Sequence, residues 1–489
     1  MYEHVYETNP PLSIFIYFPH VIFAKLFSLN IASASYYVSS IFVALSVYLF
    51  YRIITCFEYL THEYKLGLTA CYLLSITFTA TFYYSDREHL MILGLIPFVL
   101  SQFALIQNIK VPRAIWIISC IIGSICVLIK PHYGLLPTIF LFWHIIKYKN
   151  FKLHQHADFL ALAIFTIIYV GFVFVFFGKF ITHILPDVLE LYLAPNARLT
   201  DVLMLSQNHL MLYTIPIIFE ICEKDLKKKQ KALMFFFYGC CFLCLIPFFV
   251  QMKGFYNHLI PAYAFFMLGF TMSVMLRIST IFSKHTFLCI AVPIVVLASI
   301  SYAISPLKTT IPTKPEIKTF AVAEFLDTHC EKPCTFFSFH GDIEIMNPTA
   351  AQMGYIHGTR FPTYWFLPEI LRKLYSDNPE IAQTGTELRK KYAQMALDDL
   401  NYFKPSILLL SHGMQIGDLH GFNYIKFFDL ENKMSQFIEE HYDKVELFEF
   451  DRSDYFKGTT MGTLHMLEYD VYKRKDVNQS LKTNSQEPI

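Results

Sequence analysis

Four consecutive ionisable side chains stand between two apolar stretches of the sequence: Asp86, Arg87, Glu88 and His89. So many charges beside hydrocarbon are costly unless they pair with one another or meet a polar ligand. A carboxylate can hold a hydroxyl or take its proton, while arginine and histidine can bind a phosphate. The segment is therefore either a self-paired helix cap or part of a binding site, and we favour the site.

Two more polar turns follow apolar stretches of the same kind. The first is Lys130-Pro131-His132-Tyr133, and the second runs from Lys253 through Tyr256 to His258. Their basic side chains suit either lipid headgroups or the phosphate of a lipid-linked substrate. Their aromatic residues suit an interfacial belt or a platform for a sugar. Neither turn is specific alone, but three basic clusters with carboxylates among them favour a site for a phosphorylated, membrane-embedded substrate.

An acidic segment lies at the start of the chain. Glu7 precedes Pro10 and Pro11, which favour an extended entry into the first turn of a helix. The segment is either only a helix N-terminus, or it places Glu7 beside the other polar clusters at the outer edge of a membrane. Residues 12–29 are apolar but contain polar side chains, and we expect them to form a helix along the membrane surface.

The elements that must position these residues are membrane spans. About ten apolar stretches, each of about 15–22 residues, follow the surface helix and are long enough to cross a bilayer or nearly so. The predicted spans are 34–52, 66–84, 90–107, 114–130, 133–147, 157–178, 209–222, 232–250, 257–276 and 286–304.

Lysine and arginine are concentrated in alternate links between these spans. One set includes the run Lys227-Lys228-Lys229, and the positive-inside rule places that set in the cytoplasm. The opposite set contains the clusters at 86–89, 130–132 and 253–258. These three clusters are therefore predicted to face the outer side, together with both termini.

The composition agrees with a polytopic membrane protein. The 489 residues are 54% hydrophobic and 16% charged, and a mean hydropathy of +0.40 is too apolar for an ordinary soluble protein. The net charge of +1 and the lack of a basic helix in the sequence argue against a nucleic-acid partner.

A water-soluble domain is predicted after the last span. Hydropathy falls sharply after Pro306, and helix and strand patterns alternate up to residue 475, which is typical of an α/β sandwich. Two of its segments, 340–342 and 360–365, suit either packed loops or ligand contacts, and we favour packed loops. The predicted organisation is an outer segment with an interfacial helix (1–33), a transmembrane domain (34–305), the α/β domain (306–475) and a disordered tail (476–489).

The cysteines bear on the compartment and on metal binding. Of the 11 cysteines, Cys330 and Cys334 lie in the predicted soluble domain and can pair if that domain is exported. The others lie in or beside apolar stretches, where they pack as small hydrophobic residues. No polar cluster has clear metal-ligand spacing, so we expect no cofactor and leave a divalent metal open.

Three features together resemble the GT-C superfamily of polyprenyl-phosphate-dependent glycosyltransferases, which includes protein mannosyltransferases and aminoarabinose transferases. The first is the acidic segment that runs into Pro10-Pro11-Leu12 and a surface helix. The second is Asp86-Arg87-Glu88-His89-Leu90 at the outer start of a span, and the third is Leu128-Ile129-Lys130-Pro131 at the end of a later span. The resemblance covers about residues 1–270, and an exported C-terminal α/β domain is also common in the superfamily.

The resemblance implies transfer of a sugar from a polyprenyl-phosphate donor in a bacterial inner membrane to an acceptor on the periplasmic face. The acceptor would be a glycan, a lipid or a protein of the envelope. Asp86, Glu88 or Glu7 would hold or activate its hydroxyl. The donor phosphate and sugar would be bound by the other polar residues of the clusters, which are Arg87, His89, Lys130, His132, Lys253, Tyr256 and His258.

The chain departs from the superfamily near its start. Members usually carry an aspartate just after a first transmembrane helix, and this sequence has neither; Glu3 and Glu7 are the acidic residues of its first outer segment. Either Glu7 takes the place of that aspartate, or the N-terminus is truncated and the product is inactive.

Two other functions stay open for this sequence. One is a transporter or flippase of lipid-linked sugars, and the other is a non-catalytic envelope assembly protein. We favour the transferase because the ionisable residues lie at the outer ends of the predicted spans and because no inverted repeat of broken helices is visible.

Overall fold

The computed structural model describes residues 5–78, 83–149, 156–192, 199–200, 202–203, 210–211, 213–214, 218, 228–252, 256–281, 321–331, 333–339, 353–414, 419–420, 422–451 and 466–475. These residues are mostly helical, and the chain divides into two compact units. The helical unit comprises Asn9–Phe176 and Pro195–Thr310. The sheet unit comprises Met1–Thr8, Phe177–Ala194 and Ile311–Ile489.

Apolar helices build the helical unit. In chain order they are α1 (Leu12–Phe15), α2 (Phe18–Leu26), α3 (Ile31–Ile54), α4 (His62–Phe78), α5 (Arg87–Ile106), α6 (Arg113–Ile129), α7 (Leu135–Tyr148), α8 (Ala157–Phe176), α9 (Lys228–Gln251) and α10 (Ile260–Ile281), with 3-10 turns at Pro131–Gly134 and Tyr256–Leu259. Within the described residues, five segments are long and apolar enough to cross a bilayer: Ser33–Ile54, Arg87–Ile106, Ala157–Phe176, Lys228–Gln251 and Asn257–Arg277. These segments mark the chain as a membrane-associated protein.

Where the predicted spans can be compared with helices, the two agree closely. The sequence predicts spans at 90–107 and 114–130, and the corresponding helices are Arg87–Ile106 and Arg113–Ile129. The predicted span at 286–304 and most of the one at 209–222 lie outside the described residues. The number of ten spans therefore stays a prediction.

Helix α8 is apolar around its circumference. Among its described residues only Asp158 and Val173 are buried, and large side chains such as Ile167 and Val175 are exposed. A helix that is apolar on every face belongs in a protein core or in a membrane. Because α8 is exposed, its composition is typical of a helix that contacts lipid.

Glycines allow close contact between α5 and α6. A Cβ added at Gly123 of α6 would lie 2.4 Å from Phe98 Cβ of α5, and one added at Gly94 of α5 would lie 2.6 Å from Cys126 Sγ of α6. Small residues let helix backbones approach closely inside a membrane, where van der Waals packing drives association. Since these contacts run in opposite directions along the two helices, the first turn of α5 lies beside the last turn of α6.

A mixed sheet with flanking helices forms the sheet unit. Its strands are β1 (Thr335–Phe339), β2 (Ile356–His357), β3 (Ile407–Ser411), β4 (Gly413–Met414), β5 (Leu419–His420), β6 (Tyr442–Asp451) and β7 (Met466–Arg474), and its helices are α11 (Ala321–His329), α12 (Leu367–Leu374), α13 (Pro379–Phe403), α14 (Tyr424–Phe428) and α15 (Lys433–His441). In the described residues the main sheet has the order β2-β1-β3-β7-β6, and β4 pairs with β5. Strand β1 is parallel to β2 and β3, whereas β7 is antiparallel to β3 and β6.

The register of the main sheet places apolar side chains against α11. Phe336 of β1 pairs with Ile407 of β3, and both pack with Val322 and Leu326 of α11. A disulfide between Cys330 and Cys334, whose Cα atoms are 5.7 Å apart, joins the end of α11 to the start of β1. The pairing that the sequence left open is therefore present.

Two pieces remote in sequence complete the sheet unit. They are the start of the chain and the segment 177–192, which contains π-helical turns at Phe180–Ile184 and Val188–Tyr192. The buried carboxylate of Asp187 accepts hydrogen bonds from the hydroxyls of Tyr6 and Tyr392, and its Oδ1 lies 2.7 Å from Lys391 Nζ. The sequence analysis placed the first piece in the outer segment 1–33 and the second in the transmembrane domain 34–305, and not with residues 306–475.

The segment 360–365 is a packed loop. Phe361 and Tyr364 are buried, and Arg360 Nε lies 2.6 Å from Asp399 Oδ1. The segment 340–342 and the predicted disordered tail 476–489 lie outside the described residues.

Candidate functional site

The buried carboxylate of Glu88 is at the centre of the polar residues at one end of the helical unit. Its Oε1 lies 2.8 Å from Lys130 Nζ and 3.5 Å from His258 Nε2. The same oxygen accepts a hydrogen bond of 3.1 Å from Asn257 Nδ2. Its Oε2 is buried and has no hydrogen-bond partner among the described residues. One carboxylate thus joins the start of α5 to the turns that follow α6 and precede α10.

The end of α6 directs Lys130 toward Glu88. Helix α6 ends at Ile129, and Lys130 leaves the helical conformation at φ −134° and ψ 80° because Pro131 disfavours helix at the preceding residue. The hydroxyl of Tyr133 donates a hydrogen bond of 3.0 Å to the backbone oxygen of His258. The two basic turns are therefore held together, and a basic side chain from each, Lys130 and His258, contacts the same carboxylate.

Asp86 is the more accessible of the two carboxylates in the cluster 86–89. It occupies the N-cap position of α5 with extended backbone, but its side chain caps no amide of the helix. Its Oδ1 lies 3.8 Å from Arg87 Nε, and 25% of its side chain is exposed. Burial, and then the negative charge of Glu88, raises the pKa of Asp86, while the charge of Arg87 opposes the rise. An accessible carboxyl with a raised pKa is a suitable proton acceptor near neutral pH.

A strained turn at Ser85 positions Asp86. Ser85 has φ 70°, in the left-handed region that residues other than glycine seldom adopt. Its amide donates to His89 Nδ1 (3.0 Å), its carbonyl accepts from the hydroxyl of Tyr17 (2.9 Å), and its Oγ accepts from the hydroxyl of Ser39 (2.8 Å). Such strain persists where the surroundings over-determine the backbone, as they often do at functional sites.

The same bonds place His89 against the turn that precedes α5. His89 is fully buried, and one of its ring nitrogens accepts the Ser85 amide. It therefore holds the turn before α5, and the substrate-binding role that the sequence gives it stays a prediction. Tyr17 and Ser39 were not singled out, because a single hydroxyl in an apolar helix is too common to be a signal.

The other residues of the two basic turns are placed less centrally. Gln251 Nε2 lies 3.4 Å from His132 Nε2, and the imidazole packs against Tyr133. Burial of the ring, and then the positive charge of Lys130, lower the pKa of His132. Lys253 and the side chain of Tyr256 lie outside the described residues.

Glu7 belongs to the sheet unit, whereas Asp86 and Glu88 belong to the helical unit. The hydroxyl of Thr8 donates a long hydrogen bond of 3.5 Å to Glu7 Oε1. The neighbouring Tyr6 is buried and is bonded to Asp187. A catalytic part for Glu7 stays a prediction.

Sequence reasoning missed Asn257, although it lies between two residues that were selected. The sequence gives no reason to select Asn257, because its hydrogen bond to Glu88 is visible only in the tertiary structure. Among the described residues, no group of three or more histidines, cysteines or acidic residues is arranged to hold a metal ion. The expectation of no cofactor stays a prediction.

Comparisons of the chain with protein-family models, with curated proteins and with solved structures find no match. The resemblance to the GT-C superfamily therefore rests on the residues quoted for it, and the function must be argued from the site.

Proposed function

We propose that this protein is an integral membrane glycosyltransferase of the GT-C type, which moves a sugar from a polyprenyl-phosphate donor to an acceptor on the periplasmic face of a bacterial inner membrane. The observation that carries the proposal is the contact of Glu88 with Lys130 and His258. Each of the three comes from a different polar cluster of the sequence. Cations and carboxylates at one end of a helix bundle suit a substrate that presents a lipid phosphate and a hydroxyl.

Asp86 is the proposed base of this reaction. Its carboxylate takes the proton of the acceptor hydroxyl while that oxygen attacks the anomeric carbon of the donor sugar. The bond from this carbon to the phosphate oxygen breaks, and polyprenyl phosphate leaves with the electron pair. Accessibility and the raised pKa favour Asp86 over Glu88 for this step.

Glu88 is the proposed positioning residue for the cations. It is fully buried and holds Lys130 through one oxygen. An ammonium has three donors, so Lys130 can contact Glu88 and a phosphate together. Lys130 and Arg87 would then stabilise the charge that develops on the departing phosphate.

The proposed topology has ten spans, with the α/β domain 306–475 and both termini on the periplasmic side. The charge sorting of the loops supports this orientation. The disulfide between Cys330 and Cys334 supports it independently, because disulfides persist in oxidising compartments such as the periplasm. Acceptors within reach of such an enzyme are glycans, lipids and proteins of the envelope.

Transfer from a set of synthetic polyprenyl-phosphate sugars, measured with the full chain in lipid nanodiscs, tests the proposal. Asp86→Asn should lower the rate by a factor of roughly 10²–10⁴, the usual contribution of a general base. Glu63→Gln, a partly exposed residue at the start of α4, is the matched control and should keep the wild-type rate. Activity that survives the joint change of Asp86, Glu88 and Glu7 to alanine would contradict the proposal.

A transporter or flippase of lipid-linked sugars is the second candidate. The observation that favours it is the buried carboxylate of Asp158 at the start of α8, since ionisable residues among membrane helices often mark ion or substrate pathways. Movement of a fluorescent lipid-linked sugar between the leaflets of a liposome, with its covalent structure unchanged, would support this candidate.

A further inference from the structure

A second polar cluster lies at the other end of α5. Gln102 follows Glu88 by 14 residues on this helix, which corresponds to about 21 Å along its axis. Gln102 Nε2 donates hydrogen bonds to Asp158 Oδ2 of α8 (2.9 Å) and to the carbonyl of Pro137 in α7 (3.0 Å). Asp158 and Gln102 are each 3% exposed. A carboxylate and an amide are thus buried where three helices meet.

Two acceptor oxygens of this cluster lack a hydrogen-bond partner in the described part of the chain. They are Asp158 Oδ1 and Gln102 Oε1, and both are buried. The orientation of the amide follows from its neighbours, because the atom that contacts two acceptors must be the nitrogen. A buried acceptor without a donor is costly, and a buried charge without a partner is more costly still. The cluster therefore needs a hydrogen-bond donor or a positive charge at these oxygens.

We infer that Asp158 Oδ1 and Gln102 Oε1 bind a small monovalent metal cation of the sodium type. Carboxylate and amide oxygens are hard ligands, which alkali and alkaline-earth cations prefer. One carboxylate balances one positive charge, whereas a divalent ion would leave a net charge in apolar surroundings. Water would supply donors to these oxygens but would leave the carboxylate charge in place. The inference does not depend on the proposed glycosyl transfer.

The ionisable groups around the cluster supply the main alternative. His144 and His156 lie beside each other, with their ring centroids 5.0 Å apart, and the charge of Asp158 acts on His144. Cys120 of α6 is also near Asp158. Lys147 is directed elsewhere, since its Nζ bonds to the carbonyl of Ile106. A protonated histidine could therefore balance Asp158 in place of a metal cation, and the experiment must separate the two.

Thermal unfolding of the full chain in detergent micelles makes this separation. The unfolding midpoint is measured at pH 7 and constant ionic strength in NaCl and in choline chloride. Na⁺ should raise the wild-type midpoint by several degrees and saturate as one site, since a ligand that binds only the folded state stabilises it. Asp158→Asn should abolish the difference and should unfold no earlier than the wild type in choline chloride, because the buried charge is gone.

Two further variants keep the test decisive. Gln102→Met retains the charge but removes one oxygen ligand, and it should raise the Na⁺ concentration for half-saturation by about tenfold or more. It decides the question if Asp158→Asn does not fold. Glu63→Gln removes a partly exposed acidic residue at the start of α4, on a different helix from Gln102 and Asp158, and should keep the wild-type response.

Several outcomes would overturn the inference. One is an equal midpoint in NaCl and choline chloride, and another is a Na⁺ response that persists in Asp158→Asn. A midpoint that follows pH between about 5 and 8, the range in which histidine titrates, and ignores Na⁺ would assign the charge balance to the histidines instead.

Discussion

Lys130 Nζ lies 2.8 Å from Glu88 Oε1, and this ion pair joins the end of α6 to the first turn of α5. The side chain of Glu88 has no exposed surface and that of Lys130 is 12% exposed, so both charges have lost most of their water. Removing one member of a buried pair leaves the other charge without a partner. The geometry of the candidate site therefore depends on both residues.

Breaking this pair on one side should cost more stability than removing it entirely. Lys130→Met or Glu88→Leu alone should lower the free energy of unfolding by roughly 3–5 kcal/mol, and the double variant should recover most of that loss. Unfolding in detergent measures all three, with Lys110→Met in the exposed link before α6 as the control. Losses that simply add in the double variant would show that the two charges do not interact.

The strained turn at Ser85 should tolerate glycine but not valine. Ser85→Gly loses the hydrogen bond from Ser39 but keeps the backbone bonds to His89 and Tyr17. It also relieves the cost of φ 70°, which offsets that loss, so its stability should stay near that of the wild type. Ser85→Val should cost about 1–2 kcal/mol or more, because a branched side chain is disfavoured at positive φ. If the turn positions Asp86, Ser85→Val should also lower the transfer rate. If both substitutions changed the free energy of unfolding equally, the positive φ of Ser85 would not be a source of strain.

Close packing of α5 and α6 should be required for the ion pair. Gly123→Ala places a Cβ 2.4 Å from Phe98 Cβ, so the helices must separate, and both stability and transfer should fall. Gly239→Ala in α9 is the matched control, because its added Cβ meets nothing within 4 Å. We expect it to be neutral or stabilising, since alanine favours helix over glycine. Equal behaviour of the two variants in unfolding and transfer assays would exclude a packing role for Gly123.

The raised pKa of Asp86 predicts how transfer depends on pH. A base must be deprotonated, so kcat/KM should rise with pH through a pKa above that of an ordinary aspartate. Arg87→Gln removes a charge that lowers this pKa, and the rise should move to still higher pH, whereas Lys110→Gln should leave it unchanged. An unmoved profile in Arg87→Gln would show that a different group controls the rate.

The raised pKa of Asp86 also makes folding stability depend on pH, and stability falls as pH rises whereas the transfer rate increases. Because folded Asp86 binds its proton more tightly than the unfolded chain does, it contributes stability at low pH that is lost as pH rises through the raised pKa. Asp86→Asn should remove this part of the pH dependence of unfolding. Unfolding midpoints of the two proteins measured between pH 4 and pH 8, the range about the raised pKa, make the comparison.

Asp187 should be essential to the stability of the sheet unit. Asp187→Ala leaves the buried hydroxyls of Tyr6 and Tyr392 without their acceptor, at a cost of about 1–3 kcal/mol for each such group. Limited proteolysis should then cut within 177–192 more readily than in the wild type. Asp398→Ala on the exposed face of α13 is the control. Unchanged cleavage would show that the segment is held by other contacts.

The sequence alone determined the apolar helices and the polar residues worth testing. Apolar runs and loop charges are local features, so hydropathy located α5 and α6 within a few residues of their observed ends. The same features selected Asp86, Glu88 and Lys130 because charges beside long apolar runs are rare. The Cys330–Cys334 pair was recognisable as a candidate from its position in a polar region.

Only the tertiary structure decided what these residues do to one another. Asp86 and Glu88 stand two positions apart, and the sequence could not tell which of them pairs with Lys130 and is buried. The structure shows that it is Glu88, while part of the Asp86 side chain stays exposed. Asn257 contributes to the site only because the turn before α10 brings its amide within hydrogen-bond distance of Glu88. The attachment of Tyr6 and Asp187 to α13 likewise joins residues far apart in the chain. Such contacts depend on which helix faces come together, and neither hydropathy nor periodicity encodes that pairing.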